Sequence, residues 1–295
     1  MAVQFHFQRV MFVKPLLSRA SSRAATLAAR SSRALAPTTR LASRSLSTAV
    51  GAQLQALTTE YPHLDVVRYE HKNRVWSLQH VQYYSDALAI GLMENNLQPG
   101  DVVLSWLPEH FSEQMVLQFA CAKSGLVLYT LDPMLATTDR EKAKEALAKA
   151  LEITKANVLV SQEAGNDVNY ISLGHSVIPE LRIFDFSLGI PFITPRFPHL
   201  RFPIHTGFDQ DDKEGWLPLR HMVVPSGNLE TFVDPAKISK DTPLAGELLI
   251  GADGVPTGVG KTLSNEQVVK NKIWPTFAKV LAKEYHEIKG VGVVF

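Results

Sequence analysis

Leu249-Ile250-Gly251-Ala252-Asp253-Gly254-Val255-Pro256-Thr257-Gly258-Val259 is the stretch on which the fold turns. Glu247–Ile250, leading into it, reads as a short apolar strand. Ser264-x-x-Gln267, after it, has the spacing of a capping box, in which each side chain satisfies an orphan amide at a helix start. Between strand and helix, Gly251, Gly254 and Gly258 with Pro256 provide a backbone that can bend tightly. Gly260-Lys261-Thr262 imitates the end of a Walker loop. That loop needs a further glycine at 255, which is Val255, so the chain is not read as an ATPase of that type.

Upstream of this stretch, strands and helices alternate. Leu78–Met93 reads as a helix. Gln98-Pro99-Gly100 turns into a strand over Asp101–Leu107, followed by a helix over Ser112–Lys123 and a strand over Leu126–Leu131. Thr138-x-x-Glu141 is expected to cap a helix with Ala143, Leu147, Ala150 and Leu151 on one face and a Glu145–Lys149 pair outside. Asn157–Ser161 is a third strand. This order predicts an α/β fold with a partly parallel sheet flanked by helices. Strands are also expected at Leu181–Phe186 and Arg220–Val224, on either side of the acidic loop Asp209-Gln210-Asp211-Asp212. Pro275 suits the first turn of a last helix, whose apolar face is expected to hold Phe277, Val280, Leu281, Tyr285 and Ile288, with Gly290 as its stop.

Several phrases in this order resemble the large domain of the AMP-binding superfamily of acyl-CoA synthetases, luciferases and peptide-synthetase adenylation domains. Val75-Trp76-Ser77-Leu78 with Tyr84, Ala87, Leu88 and Gly91-Leu92 is similar to the opening phrase TYxELxxxAxxLAxGL. Gln98-Pro99-Gly100-Asp101-Val102 with Leu107-Pro108 and Glu113 resembles GxxxGDxVxxxLPNxxE, and Ala122-Lys123-Ser124-Gly125 through Leu131-Asp132-Pro133 resembles xxKAGAxxxPLDP. Lys240-Asp241-Thr242-Pro243 leads into the loop as DDP does, and Thr262 and Asn265 sit where LTHxN would follow. The loop aligns without gaps to the phosphate loop T-S-G-T-T-G-x-P-K-G-V. Gly246-Glu247-Leu248-Leu249-Ile250 is also similar to a later phrase, GELxIxGxxVxxGY, but only with a gap and far too early in the chain. The resemblance implies an incomplete adenylating-enzyme large domain over residues 50–295.

The family reaction joins a carboxylate to the α-phosphate of ATP and releases pyrophosphate. Its loop wraps the phosphates with amides, hydroxyls and a lysine, because charge moves onto those oxygens. Here the positions that supply hydroxyls hold Leu249, Ile250, Ala252 and Asp253, and the lysine position holds Thr257. Gly251, Ala252, Asp253, Gly254, Pro256, Thr257 and Gly258 therefore form a degenerate phosphate loop. An Asp253 carboxylate roughly 4 Å from a phosphate, at an effective dielectric near 20, would cost about 4 kcal/mol. The resemblance places the adenine-binding, metal-binding, ribose-binding and catalytic-lysine segments beyond Phe295. No catalytic residue, cofactor or metal ligand is carried over, and the expected class is a pseudoenzyme. No His-Glu-x-x-His pair or Gly-x-Ser-x-Gly elbow occurs. His286-Glu287 reads as helix surface, and His199 and His205 as structural.

The chain has a net charge of +1, unevenly placed. No acidic residue precedes Glu60, whereas Arg9, Lys14, Arg19, Arg23, Arg30, Arg33, Arg40 and Arg44 lie among Ala, Ser, Leu and Thr. This predicts a mitochondrial transit peptide over residues 1–48 and a matrix location, or the matrix side of the inner membrane. A plastid address, or a basic arm for nucleic acid or anionic lipid, are the other readings. The mildly acidic remainder gives no general attraction to nucleic acid. No run after residue 50 is long and apolar enough to span a membrane. Cys121 is the single cysteine, which excludes an internal disulfide and a cysteine-cluster metal site.

An incomplete α/β domain leaves strand edges and apolar faces without partners. That leads to the expectation of a non-catalytic, structural supernumerary subunit of a mitochondrial complex, such as ATP synthase or a respiratory complex. Trp216, Trp274 and the Phe184–Phe208 stretch read either as its anchors or as core, and Trp106, on a strand, reads as core. The alternatives are a binder of acyl-CoA, fatty acid or nucleotide without turnover, or half of a split acyl-CoA synthetase.

Overall fold

Hydrophobic alternation along the central strands sets the architecture. Along the strand Val102–Trp106, Val103 points into one core while Leu104 and Trp106 point into the other. The structure, a computed structural model, describes residues 49–188, 190, 192–207 and 213–289. The expected transit segment, the acidic loop 209–212 and the Gly290 stop lie outside the described residues.

The described residues open with α1 (Val50–Glu60) and the antiparallel pair β1 (Asp65–Tyr69) and β2 (Arg74–Ser77). Then come α2 (Leu78–Glu94), β3 (Val102–Trp106), α3 (Ser112–Ser124) and β4 (Val127–Thr130). Gly125, at φ +72°, ends α3 in the left-handed conformation that an L side chain resists. After α4 (Leu135–Thr138), α5 (Arg140–Thr154) and β5 (Val158–Ser161), a small hairpin joins β6 (Ala164–Gly165) to β7 (Val168–Asn169). Next are α6 (Tyr170–Val177), β8 (Phe202–His205), β9 (Leu217–Pro218), β10 (Pro243–Ile250) and β11 (Pro256–Ser264). The described residues end through α7 (Asn265–Lys270), α8 (Pro275–Leu281) and β12 (His286–Ile288).

Seven strands form one sheet in the order β11-β10-β4-β3-β5-β8-β9. From β10 to β9 every neighbouring pair is parallel, and β11 alone runs antiparallel, folding back on β10. One face packs Val103, Leu128, Val158 and Val160 against Leu54, Leu88, Phe119 and Phe277 of α1, α2, α3 and α8. The other packs Leu104, Trp106, Tyr129 and Leu159 against Leu147, Leu151 and Ile171 of α5 and α6. A second sheet, β12-β1-β2, sits on the first core through Val67, Tyr69 and Trp76.

Several expectations are corrected. The cap of α5 is Asp139, whose Oδ1 accepts from the Glu141 and Lys142 amides at 3.1 and 3.0 Å. Thr138 instead closes α4 by donating to the Leu135 carbonyl. Only Asp139 has the extended backbone (φ −146°, ψ 100°) that a cap needs, and its carboxylate suits the positive end of the helix. Lys149 pairs with Glu152, one turn on. The expected strands at 181–186 and 220–224 are 3-10 turns over Pro179–Ile183, Phe186–Leu188 and Leu219–Met222. Their apolar residues act singly: Leu181 and Met222 are buried while Ile183 is 89% exposed, so there is no buried run for a ladder to support. The last helix stops at Leu281 because Lys283 turns left-handed at φ +60°. Tyr285 is then exposed, and His286-Glu287 lies on β12 rather than on a helix, paired parallel to Val67 and Arg68. Of the two readings of the aromatics, core holds for Trp216, Trp274, Phe192 and Phe197, which are buried in the two cores, as it does for Trp106.

Candidate functional site: the β10–β11 hairpin

The hairpin is held at its base and open at its tip. At the base, Ala245 and Gly246 pair with Leu128 and Tyr129 of β4. A Cβ on Gly246 would overlap the Tyr129 ring, so the absence of a side chain is what lets the hairpin lie on the sheet. Beyond β11, Ser264 and Gln267 form the expected capping box on α7. Asn265 then donates to the Thr242 carbonyl at 2.9 Å and accepts the Val50 amide at 3.4 Å, tying the hairpin's foot to α1.

At the tip, Leu249 pairs with Gly258 and Ile250 with Pro256, a register shift that leaves residues 251–255 as the loop. The Gly251 amide donates to the Val255 carbonyl at 2.8 Å, and the Gly254 amide to the Gly251 carbonyl at 3.0 Å. Gly254 takes φ +84° and rests against the Leu135 side chain, where a Cβ would stand 3.3 Å from its Cδ1. Asp253 Oδ1 accepts the Val255 amide at 3.1 Å. Thr257, at the lysine position of the resemblance, donates its hydroxyl to the Leu249 carbonyl at 3.1 Å. Around the tip, Leu249, Ile250 and Val259 are 46%, 53% and 45% exposed. Of the seven residues singled out in the sequence, Gly251, Ala252, Asp253 and Gly254 lie in the turn, and Pro256, Thr257 and Gly258 are the first residues of β11. The turn's bonds are internal, and apolar side chains surround it.

The other perturbed groups are scattered through the cores. Burial pushes the Glu113 carboxyl up to about 7, against a lowering by the Ser112 hydroxyl bond. Burial, reinforced by Lys213, Arg220 and His221, holds His205 down at about 3; its Nδ1 accepts the Gly207 amide. The Lys123 ammonium pairs with Asp86, and its pKa is lowered by burial against that partner's pull. The Cys121 thiol is fully buried and pushed up by burial alone, the opposite of what a nucleophile needs. A surface groove of about 380 Å³ on α5 is lined by Glu145, Lys149, Glu152 and Arg196 and includes no hairpin residue. Among the described residues no three His, Cys, Asp or Glu side chains group as metal ligands, and no helix is long and apolar enough to cross a membrane.

Residues 54–181 match the family described as AMP-binding enzyme. The Bacillus subtilis protein YngI, named as an acyl-CoA synthetase, is 27% identical over 229 residues, spanning 75% of this chain and 38% of the relative. The mitochondrial medium-chain acyl-CoA ligase ACSF2 of Danio rerio is 24% identical over 231 residues, spanning 76% of this chain and 35% of the relative. Among solved structures, acetoacetyl-CoA synthetase from Streptomyces lividans superposes with a TM-score of 0.60 at 14% identity, covering 83% of this chain and 38% of that one. The chain thus spans little more than a third of the length of these curated relatives. The relatives overturn the expectation of a supernumerary subunit of ATP synthase or a respiratory complex: they are acyl-CoA synthetases and ligases.

Proposed function

Residues 54–181 are an AMP-binding enzyme domain, the N-terminal part of its large domain, and on that premise we propose an acyl-CoA ligase-like function for this chain. It contributes the parallel sheet and the hairpin that corresponds to the phosphate loop, and its ligand is an acyl group carried as a carboxylic acid or a CoA thioester. The observation that carries this is the likeness to two acyl-CoA ligases over three quarters of the chain. Within that role, the chain's own loop does not activate ATP. Asp253 stands where a hydroxyl is needed and Thr257 where a lysine is needed; Asp253 bonds inside the turn, and Thr257 bonds across the strand pair to Leu249. The acid-free, arginine-rich residues 1–48 and the mitochondrial relative support delivery to mitochondria.

The test is a melting curve of the full chain with short-, medium- and long-chain acids and acyl-CoAs, alongside an assay of pyrophosphate release from ATP. A saturable rise in Tm is expected with at least one acyl ligand, worth about 2.7 kcal/mol at a hundred times its Kd. Pyrophosphate release is expected to be absent. No shift with any acyl ligand would overturn the ligase-like reading. Pyrophosphate release by this chain alone would overturn the silent loop.

A further inference from the structure

We infer that the Asp253 carboxylate is the loop's own resident anion, and that it, rather than the missing lysine alone, excludes polyphosphate from the hairpin. This rests on the proposed correspondence between the hairpin and a phosphate loop. The geometry is specific. Asp253 Oδ1 lies 3.1 Å from the Val255 amide, and 2.7 Å from where a Cβ on Gly251 would stand. The carboxylate of this exposed residue is therefore folded back towards Gly251 and the Val255 amide. Thr257 closes in from the opposite strand. Its hydroxyl is spent on the Leu249 carbonyl, and its methyl lies 3.2 Å from the same Gly251 position. Two side chains thus converge over the glycine that the bend leaves bare.

A Gly-rich turn recruits phosphate by presenting backbone amides to it. Here the Gly251 and Gly254 amides are bonded to loop carbonyls, and the Val255 amide is bonded to Asp253. An incoming phosphate would have to displace a covalently tethered carboxylate from that amide and then sit beside its charge. The tethered group needs no association step, so it outcompetes a free anion of similar basicity. Closure and repulsion come from the same side chain, and asparagine in its place removes the repulsion while keeping the acceptor.

The experiment is calorimetric titration of the full chain with inorganic tripolyphosphate, without magnesium, on wild type, Asp253→Asn and Asp253→Thr. Tripolyphosphate carries no acyl group, so the result is independent of whether acyl-CoA stabilises the chain. Asp253→Thr is expected to bind at least tenfold more tightly than wild type. Asp253→Asn should fall between them, because its amide oxygen still accepts from Val255 while the charge is gone. Wild-type binding equal to that of Asp253→Thr would overturn the inference. So would a failure of both variants to bind while each keeps the wild-type melting temperature.

Discussion

Gly91, in the last turn of α2, lies directly against the main chain of Met222: a Cβ on Gly91 would overlap the Met222 carbonyl oxygen. The contact is backbone against backbone, so no flexible side chain can yield. It docks the irregular 3-10 segment Leu219–Met222 onto α2, and the Val224 amide, donating to the Ala87 carbonyl at 2.9 Å, holds it there.

Gly91→Ala sets two effects against each other. Alanine favours the helix by about 1 kcal/mol over glycine. Forcing the two backbones apart costs about 1–3 kcal/mol, and more where the neighbour cannot move. The rigid neighbour decides the sign, and a net loss of about 1–2 kcal/mol is expected in urea unfolding. A variant as stable as wild type would mean that the 219–222 segment is not packed on α2.

Glu113 and His205 give opposite pH slopes. Glu113 rises from its ordinary 4.5 to about 7 in the folded state. Between those values the folded chain holds a proton that the unfolded chain has lost, so stability falls as pH rises. His205 drops from 6.5 to about 3. Between those values the unfolded chain holds the extra proton, so stability is full above 6.5 and is lost as pH falls towards 3. The slopes oppose each other from pH 4.5 to 6.5 and partly cancel in the wild type.

Single variants separate them. Glu113→Gln keeps an acceptor for the Ser112 hydroxyl and is expected to be about 3 kcal/mol more stable than wild type, relative to their difference at pH 4, once the pH exceeds 7.5. His205→Asn keeps an acceptor for the Gly207 amide and is expected to lose stability more slowly in acid. The check is urea midpoints from pH 4 to 8. A Glu113→Gln curve running parallel to wild type would rule out a buried titrating carboxyl at 113.

What was legible in the sequence divides by how residues are buried. α2, α3, β3, β4 and β5 present unbroken apolar faces to a core, so their periodicity shows and their bounds fall within a residue or two of expectation. Between residues 163 and 242 burial is piecemeal. Leu181, Phe192, Leu219 and Met222 each anchor a turn, and only the short α6 keeps a helical period, in Tyr170, Leu173 and Val177. β8 was missed because Phe202-Pro203-Ile204-His205 contains a proline, and it is buried against β5 all the same. β12 was missed because Tyr285 and Ile288 keep a helical spacing, while the left-handed turn at Lys283 is invisible in composition. At the hairpin, the lost hydroxyls could be read directly from the residues. The return of the Asp253 carboxylate onto the loop depended on a turn geometry that only coordinates supply.

Lys123 and Asp86 join three helices, and their asymmetry predicts unequal effects of removing either partner. The Lys123 side chain on α3 is 4% exposed, whereas Asp86 on α2 is 36% exposed and also accepts from Gln82 at 2.6 Å. Gln82 in turn bonds Gln55 of α1. A Cβ on Gly51 of α1 would stand 2.9 Å from Lys123 Cγ, so the lysine stem is packed as well as paired. Asp86→Ala strands a buried ammonium. A fully buried pair broken in this way loses about 3–5 kcal/mol, and partial access of water at Asp86 lowers the expected loss to about 2–3. Lys123→Met keeps the stem's packing and removes the charge that needs a partner, so it should cost less than about 1 kcal/mol, because desolvating the ion had already offset most of the pair's attraction. Urea midpoints of the two variants and of the double variant make the comparison. The double variant should recover most of what Asp86→Ala loses, and a double variant no more stable than Asp86→Ala would show that the loss comes from the Gln82 bond instead of the stranded charge.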